Sequence, residues 1–150
     1  MRQLTLLREK KYPHRKTARA ISFRGANHVV LKACSPVLRR KSGQIRKLIR
    51  ETQDRFGLKL RAVAVMPDHV HLIMKVDRRE QFQNALRFLA GAIALKVAGT
   101  RLWRARAWSR PLRTRRELDV AQVYVARNSI KAGIFSLGDA YAIVDGVLQL

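Results

Sequence analysis

His69 and His71 flank a single valine in the run AVAVMPDHVHLIMKV. The stretches Leu60–Val65 and Val70–Val76 are rich in valine, isoleucine and leucine, and Met66-Pro67-Asp68 between them has turn chemistry, so the whole reads as a β-hairpin. Residues two apart on a strand point to one face, so the two imidazoles project side by side while Val70 and Leu72 point the other way. Neutral ring nitrogens are good ligands for a divalent metal, and a strand fixes their spacing; the pair is half of such a site. Taken alone, such a pair is more often two exposed or hydrogen-bonded histidines beside a turn, since short patterns recur by chance. Downstream, Tyr124 and Asn128 stand four residues apart and share a face if that segment is helical. By themselves they too have plain readings, a half-buried helix tyrosine and a polar residue near a helix end.

The charge balance is the second strong signal. Of 150 residues, 32 are Lys or Arg and 10 Asp or Glu, a formal net charge of +22. Such a field favours a polyanionic partner. Nucleic acid fits best, with binding that weakens steeply as salt rises. A membrane fits poorly: the longest apolar stretch, Phe88–Gly99, is far short of the ~20 residues a span needs and contains Lys96. One cysteine, Cys34, excludes an internal disulfide and suits a reducing, cytoplasmic location. The basic start of the chain lacks the apolar centre and cleavage site of a secretory signal. Residues 1–24 are expected to form a basic, mobile arm that either tracks a phosphate backbone or only aids solubility. Residues 25–135 then make one domain and 136–150 a weakly patterned tail.

The elements that must position the chemistry follow from periodicity. His28–Ala33 reads as a first strand next to the hairpin, with His28 at its end as a candidate outer-shell partner of the pair, although a strand-end histidine is more often structural. Ser35 and Pro36 have the types that open a helix, and Leu38, Ile45, Leu48, Ile49 and Phe56 continue it to a left-handed cap at Gly57. After the hairpin, Asp77–Glu80 resembles a capping box for a second helix, in which Phe82, Leu86, Leu89, Ile93 and Val97 fall at helical spacing before Gly99. Arginine and tryptophan interleave in Arg101–Leu112, where Pro111 favours a short edge strand. Thr114 and Glu117 form a capping box for a third helix, Glu117–Lys131, with Leu118, Ala121 and Val125 as its docking stripe. Strand, helix, strand twice over is the α+β, ferredoxin-like split arrangement, an antiparallel sheet with helices on one face, plus an extra C-terminal helix. Its two central strands are the first and third.

With these elements in place, RAVAVMPDHVHLIMKV resembles the signature hairpin of HUH-type single-strand nucleases, and VYVARNSIKAGIF is similar to the tyrosine helix of the REP-associated tyrosine transposases and their insertion-sequence relatives. The intervening LWRARAWSRPLRTRREL resembles the family's tryptophan-containing stretch. Ser129 departs from the pattern, standing where the family commonly has proline. The resemblance implies a metal-dependent transposase or endonuclease that nicks and rejoins single-stranded, hairpin-forming DNA. Tyr124 would be the nucleophile that forms a 5′-phosphotyrosine, and His69, His71 and Asn128 would hold Mg²⁺ or Mn²⁺. A phenol has a pKa of about 10 and needs help to attack; no general base for it stands out.

DNA contacts are expected from Arg101, Arg104, Arg106, Arg110 and Lys131, with Trp108 stacking an unpaired base. Trp103 reads rather as a core residue. A homodimer that pairs one subunit's histidines with the other's tyrosine is as compatible with the sequence as a single-chain site. Two readings of other classes compete, a non-catalytic nucleic-acid-binding module of the same descent and a basic ribosome-associated protein. The second leaves the histidines, tyrosine and asparagine as coincidence.

Overall fold

In the computed structural model, residues 18–99 and 101–131 are described. Four strands, β1 (Ala26–Lys32), β2 (Lys59–Val65), β3 (His69–Lys75) and β4 (Trp108–Leu112), pair in the order β2-β3-β1-β4, every pairing antiparallel. Three helices, α1 (Ser42–Phe56), α2 (Arg79–Val97) and α3 (Arg115–Lys131), complete the α+β fold. The central strands are β1 and β3, as the split arrangement requires.

Most elements begin and end where local chemistry dictates. Gly57 adopts φ 65°, the left-handed conformation that closes α1. Thr114 and Glu117 make the reciprocal capping box of α3: the Glu117 amide donates to Thr114 Oγ1 at 3.2 Å, and the Thr114 amide donates to the Glu117 carboxylate at 3.3 Å. Two starts differ from expectation. Instead of winding from Ser35, the chain after β1 is tied outward: the Cys34 amide donates to Leu102 O and the Leu38 amide to Pro67 O. Those bonds seat Leu38 in the core and leave only a 3₁₀ turn, Arg39–Lys41, before α1. At α2 the N-cap is Arg78, without a side-chain cap. There Gln81 replaces the expected box, accepting from the Asp77 amide and donating to Phe56 O at the end of α1.

Alternation along the strands gives the sheet two unlike faces. On one, Val29, Leu31, Val70, Leu72 and Met74 meet Ile45, Leu48 and Ile49 of α1 and Phe82, Leu86, Leu89 and Ile93 of α2. Each large side chain fully buried there contributes roughly 1.5–3 kcal/mol. The other face is small: Ala26, Ala62, Ala64, Ile73 and Leu112 pack with Ala121 and Val125 of α3. A bulge separates Leu60 from Ala62 on β2, so that Leu60 and Val63 both reach the larger core. The carbonyl of the bulged residue, Arg61, accepts a hydrogen bond from the buried Gln122 amide, which fastens α3 to β2.

The packed domain starts before residue 25. Ile21 packs on the larger core, Ser22 and Asn27 exchange hydrogen bonds, and Arg19 donates to Ser109. These contacts hold residues 19–22 against the sheet rather than in a solvated arm; residues 1–17 and the tail 136–150 lie outside the described residues. Gly25, just before β1, is forced by proximity, since a Cβ there would stand 2.0 Å from the Leu112 carbonyl oxygen.

Candidate active site

Strand register places the histidines. His71 pairs with Val30 of β1 and Ala64 of β2, and His69 with Lys32, so both rings emerge on the small-residue face of the sheet. Their centroids are 4.7 Å apart. His69 is half-buried at the mouth of the hairpin and its Nδ1 is 2.6 Å from Asp68 Oδ1. That bond leaves Nε2 as the nitrogen open to a ligand. His71 is buried, and its Nδ1 lies 3.0 Å from Nε2 of His28. Its own Nε2 is buried without a partner.

His28 sits within β1, not at a strand end; the sequence offered it as an outer-shell partner of the pair but not its direct bond to His71. The available signal was register: in an antiparallel ladder His28 pairs with Ile73, two residues from His71 and on the same face.

Burial keeps these rings uncharged. His71 is pushed down to about 3, first by desolvation and then by the neighbouring His28 and His69. His28 is lowered to about 4 by desolvation and by the Arg110 guanidinium. The hydrogen bond from His69 holds the Asp68 carboxyl below its usual range. At neutral pH His71 thus presents a neutral imidazole, the form a metal requires.

Helix α3 brings Tyr124 to the same place. Ala121 and Val125 are buried against the sheet and Leu118 partly so. One step round the helix, the Tyr124 ring lies edge-on to His71 and His28, with centroids 5.9 and 6.1 Å away, and remains half-exposed. Asn128 follows one turn later, half-buried. Trp108 opens β4 opposite Val30 and sets its exposed ring edge-on to His28 at 5.5 Å. Arg110, opposite His28, is on the same face and exposed. Imidazoles, phenol and indole thus share one patch of the sheet.

The remaining sequence candidates are spread more widely. Arg101, Arg104 and Arg106 are exposed on the connection between α2 and β4, before the strand begins. Trp103 is a core residue: its indole N–H donates to Ala90 O at 2.8 Å. Lys131 is the last residue of α3, and its side chain lies outside the described residues.

The known proteins that this chain resembles are transposases. The family Transposase IS200 like matches residues 27–125, from β1 to the helix that bears Tyr124. The chain belongs to that family. No curated protein matches the chain. Among solved structures, a REP-associated tyrosine transposase bound to a REP hairpin is similar, with a TM-score of 0.61 and 19% identity over 79% of this chain and 74% of that one. A candidate transposase from Deinococcus radiodurans aligns with a TM-score of 0.44 and 18% identity, over 75% of this chain and 97% of that one. The first shares the fold of this transposase. Family membership leaves the ribosome-associated reading without support. No helix among the described residues is long and apolar enough to cross a membrane.

The chemistry of the donor set bears on whether it suits a divalent cation. Among the described residues no three His, Cys, Asp or Glu side chains stand close enough to hold a metal ion. A third protein donor must then be of another type, such as an amide. Two features fit a cation: the stranded Nε2 of His71, and a carboxylate on the far nitrogen of His69, the usual support for a metal-binding imidazole.

Proposed function

We propose that this transposase cuts and rejoins single-stranded DNA, using Tyr124 as nucleophile and a divalent cation, Mg²⁺ or Mn²⁺, held by His69, His71 and Asn128. The observation that carries the reading is the half-exposed Tyr124 ring packed edge-on to the buried His71 of its own chain. The phenol and the imidazoles need no second subunit to meet. The chemistry supplied by a bound cation is polarisation of the scissile phosphate and offset of charge on its oxygens. Everything else falls to the chain. Tyr124 Oη gives up its proton and bonds to phosphorus, the bond from phosphorus to the 3′ oxygen breaks, and that oxygen takes up a proton and leaves as a 3′-hydroxyl. The 5′-phosphotyrosine conserves the linkage. Attack by a different 3′-hydroxyl reverses the step, frees the phenol and joins new strands without ATP.

Substrate contacts come from the same patch. Trp108 offers an exposed π-face for an unpaired base, Arg110 a guanidinium for the neighbouring phosphate, and Arg101, Arg104 and Arg106 extend the cationic track along the preceding connection; Lys131 is assigned to the track from sequence alone. The relative bound to a REP hairpin supports hairpin-forming DNA as the substrate, and a DNA-acting enzyme with this cysteine usage belongs in the cytoplasm.

The test is a covalent one. With Mn²⁺ and labelled single strands carrying hairpins, wild type should give a denaturant-resistant protein–DNA adduct. Tyr124→Phe should give none, and His69→Ala should lose the adduct while keeping salt-sensitive binding. Wild type that binds such strands but never forms an adduct would reduce the protein to a nucleic-acid-binding module.

A further inference from the structure

We infer that His28 is a positioning residue: it holds His71 in the tautomer protonated at Nδ1, so that the lone pair of His71 Nε2 faces the cation. This rests on the reading of His71 as a ligand. Two neutral imidazoles meet at 3.0 Å through His28 Nε2 and His71 Nδ1, and one proton lies between them. If His28 donated, the proton of His71 would sit on its Nε2. That atom is buried and has no acceptor, a stranded donor that costs roughly 1–3 kcal/mol. If His71 donates, its Nε2 is a bare lone pair, and the proton of His28 sits on Nδ1, which is not a stranded atom. The second arrangement leaves no buried N–H unmet and makes His71 a ligand.

The packing around His28 suits that role. Its ring stacks on His71 with an interplanar angle of 24° and centroids 5.2 Å apart. Trp108 and Tyr124 meet it edge-on, with interplanar angles of 88° and 70°. With the strand backbone beneath, these contacts leave the imidazole little freedom to turn away. The two proposed ligands are then supported alike but by different groups. Each is held through Nδ1, His69 by the Asp68 carboxylate and His71 by a neutral imidazole. One residue adjacent in sequence serves the exposed ligand; one from another strand serves the buried ligand.

The experiment reads the tautomer first. In ¹⁵N-labelled full-length protein in EDTA at neutral pH, His71 should show a protonated Nδ1 and an unprotonated Nε2. A protonated Nε2 overturns the inference, whatever the enzyme does. Mn²⁺ titration followed by electron paramagnetic resonance gives the second readout. His28→Phe, which fills the space without an acceptor, should weaken binding ~10–100-fold, and His28→Gln, whose amide oxygen can accept from Nδ1, should recover most of it. Equal Mn²⁺ affinity in wild type and folded His28→Phe overturns the inference; if His28→Phe does not fold, the tautomer of wild type decides. Failure of wild type to bind Mn²⁺ at all would instead refute the metal reading, and the ring nitrogens would still report what His28 does.

Discussion

The two faces of the sheet are built to opposite specifications. Beneath α1 and α2 the side chains are mostly large, apolar and sealed, and the strand residues that face these helices, Val29, Leu31, Val70, Leu72 and Met74, are all aliphatic or thioether. Beneath α3 the contact is made mainly by alanines, and around its edge stand His28, His69, His71, Tyr124, Trp108 and Arg110. Small residues let a helix approach closely, and the space they leave beside it is where polar rings fit. One face supplies the stability that the other gives up in order to keep aromatic and imidazole groups near solvent.

Substitutions should therefore separate by face, and the widest separation comes from one pair. Tyr124→Phe removes only a half-exposed hydroxyl, so covalent adduct should vanish entirely while unfolding free energy moves by less than about 0.5 kcal/mol. Ile49→Ala opens a cavity under α1 and should lower stability by about 2–5 kcal/mol, with adduct formation retained where the protein is folded. Denaturant titration together with the adduct assay checks both. A destabilised Tyr124→Phe, or an Ile49→Ala of unchanged stability, would erase the contrast.

Acid should act through the imidazole face. His28 and His71 have folded pKa values of about 4 and 3, below the 6.5 of an unfolded histidine, so between those limits the unfolded chain binds more protons. Their contribution is complete above about pH 6.5 and falls away as pH drops toward 4 and 3. In EDTA, urea unfolding at pH 7 and pH 5 should differ by on the order of 2–4 kcal/mol, at about 1.4 kcal/mol per pH unit below 6.5 for each group, and His28→Phe should reduce the difference. Equal stability at the two pH values would mean that the rings are hydrated.

Two smaller effects sharpen the comparison. Trp108→Ala should weaken single-strand binding by about 1–3 kcal/mol, seen by fluorescence anisotropy, with little change in melting temperature. Thr114→Ala removes the cap of α3 and should lower stability by about 1 kcal/mol, the smallest effect expected.

Local chemistry was legible; long-range placement was less so. The hairpin, the order of elements and the Thr114–Glu117 box follow from periodicity and from residue types that act within a few positions. The start of α1 was not legible, because Cys34 and Leu38 are bound by Leu102 and Pro67, partners remote in sequence. The carbonyl at the Arg61 bulge is likewise met by Gln122, far along the chain. At the site, sequence spacing predicted that His69 and His71 would share a face and that Tyr124 would share one with Asn128. What joined the strand pair to the helix was register, which no window of sequence contains; for that reason His28 was legible as a neighbour of the pair but not as the direct partner of His71.

Gly25 has a consequence out of proportion to its size. It touches none of the groups proposed for chemistry, yet a methyl group there would collide with the Leu112 carbonyl and force β4 away from β1. That ladder runs from Ala26 opposite Leu112 to Val30 opposite Trp108, so the indole beside His28 inherits its position from the far end of the strand. Among descendants of this gene, codon 25 should tolerate almost no drift.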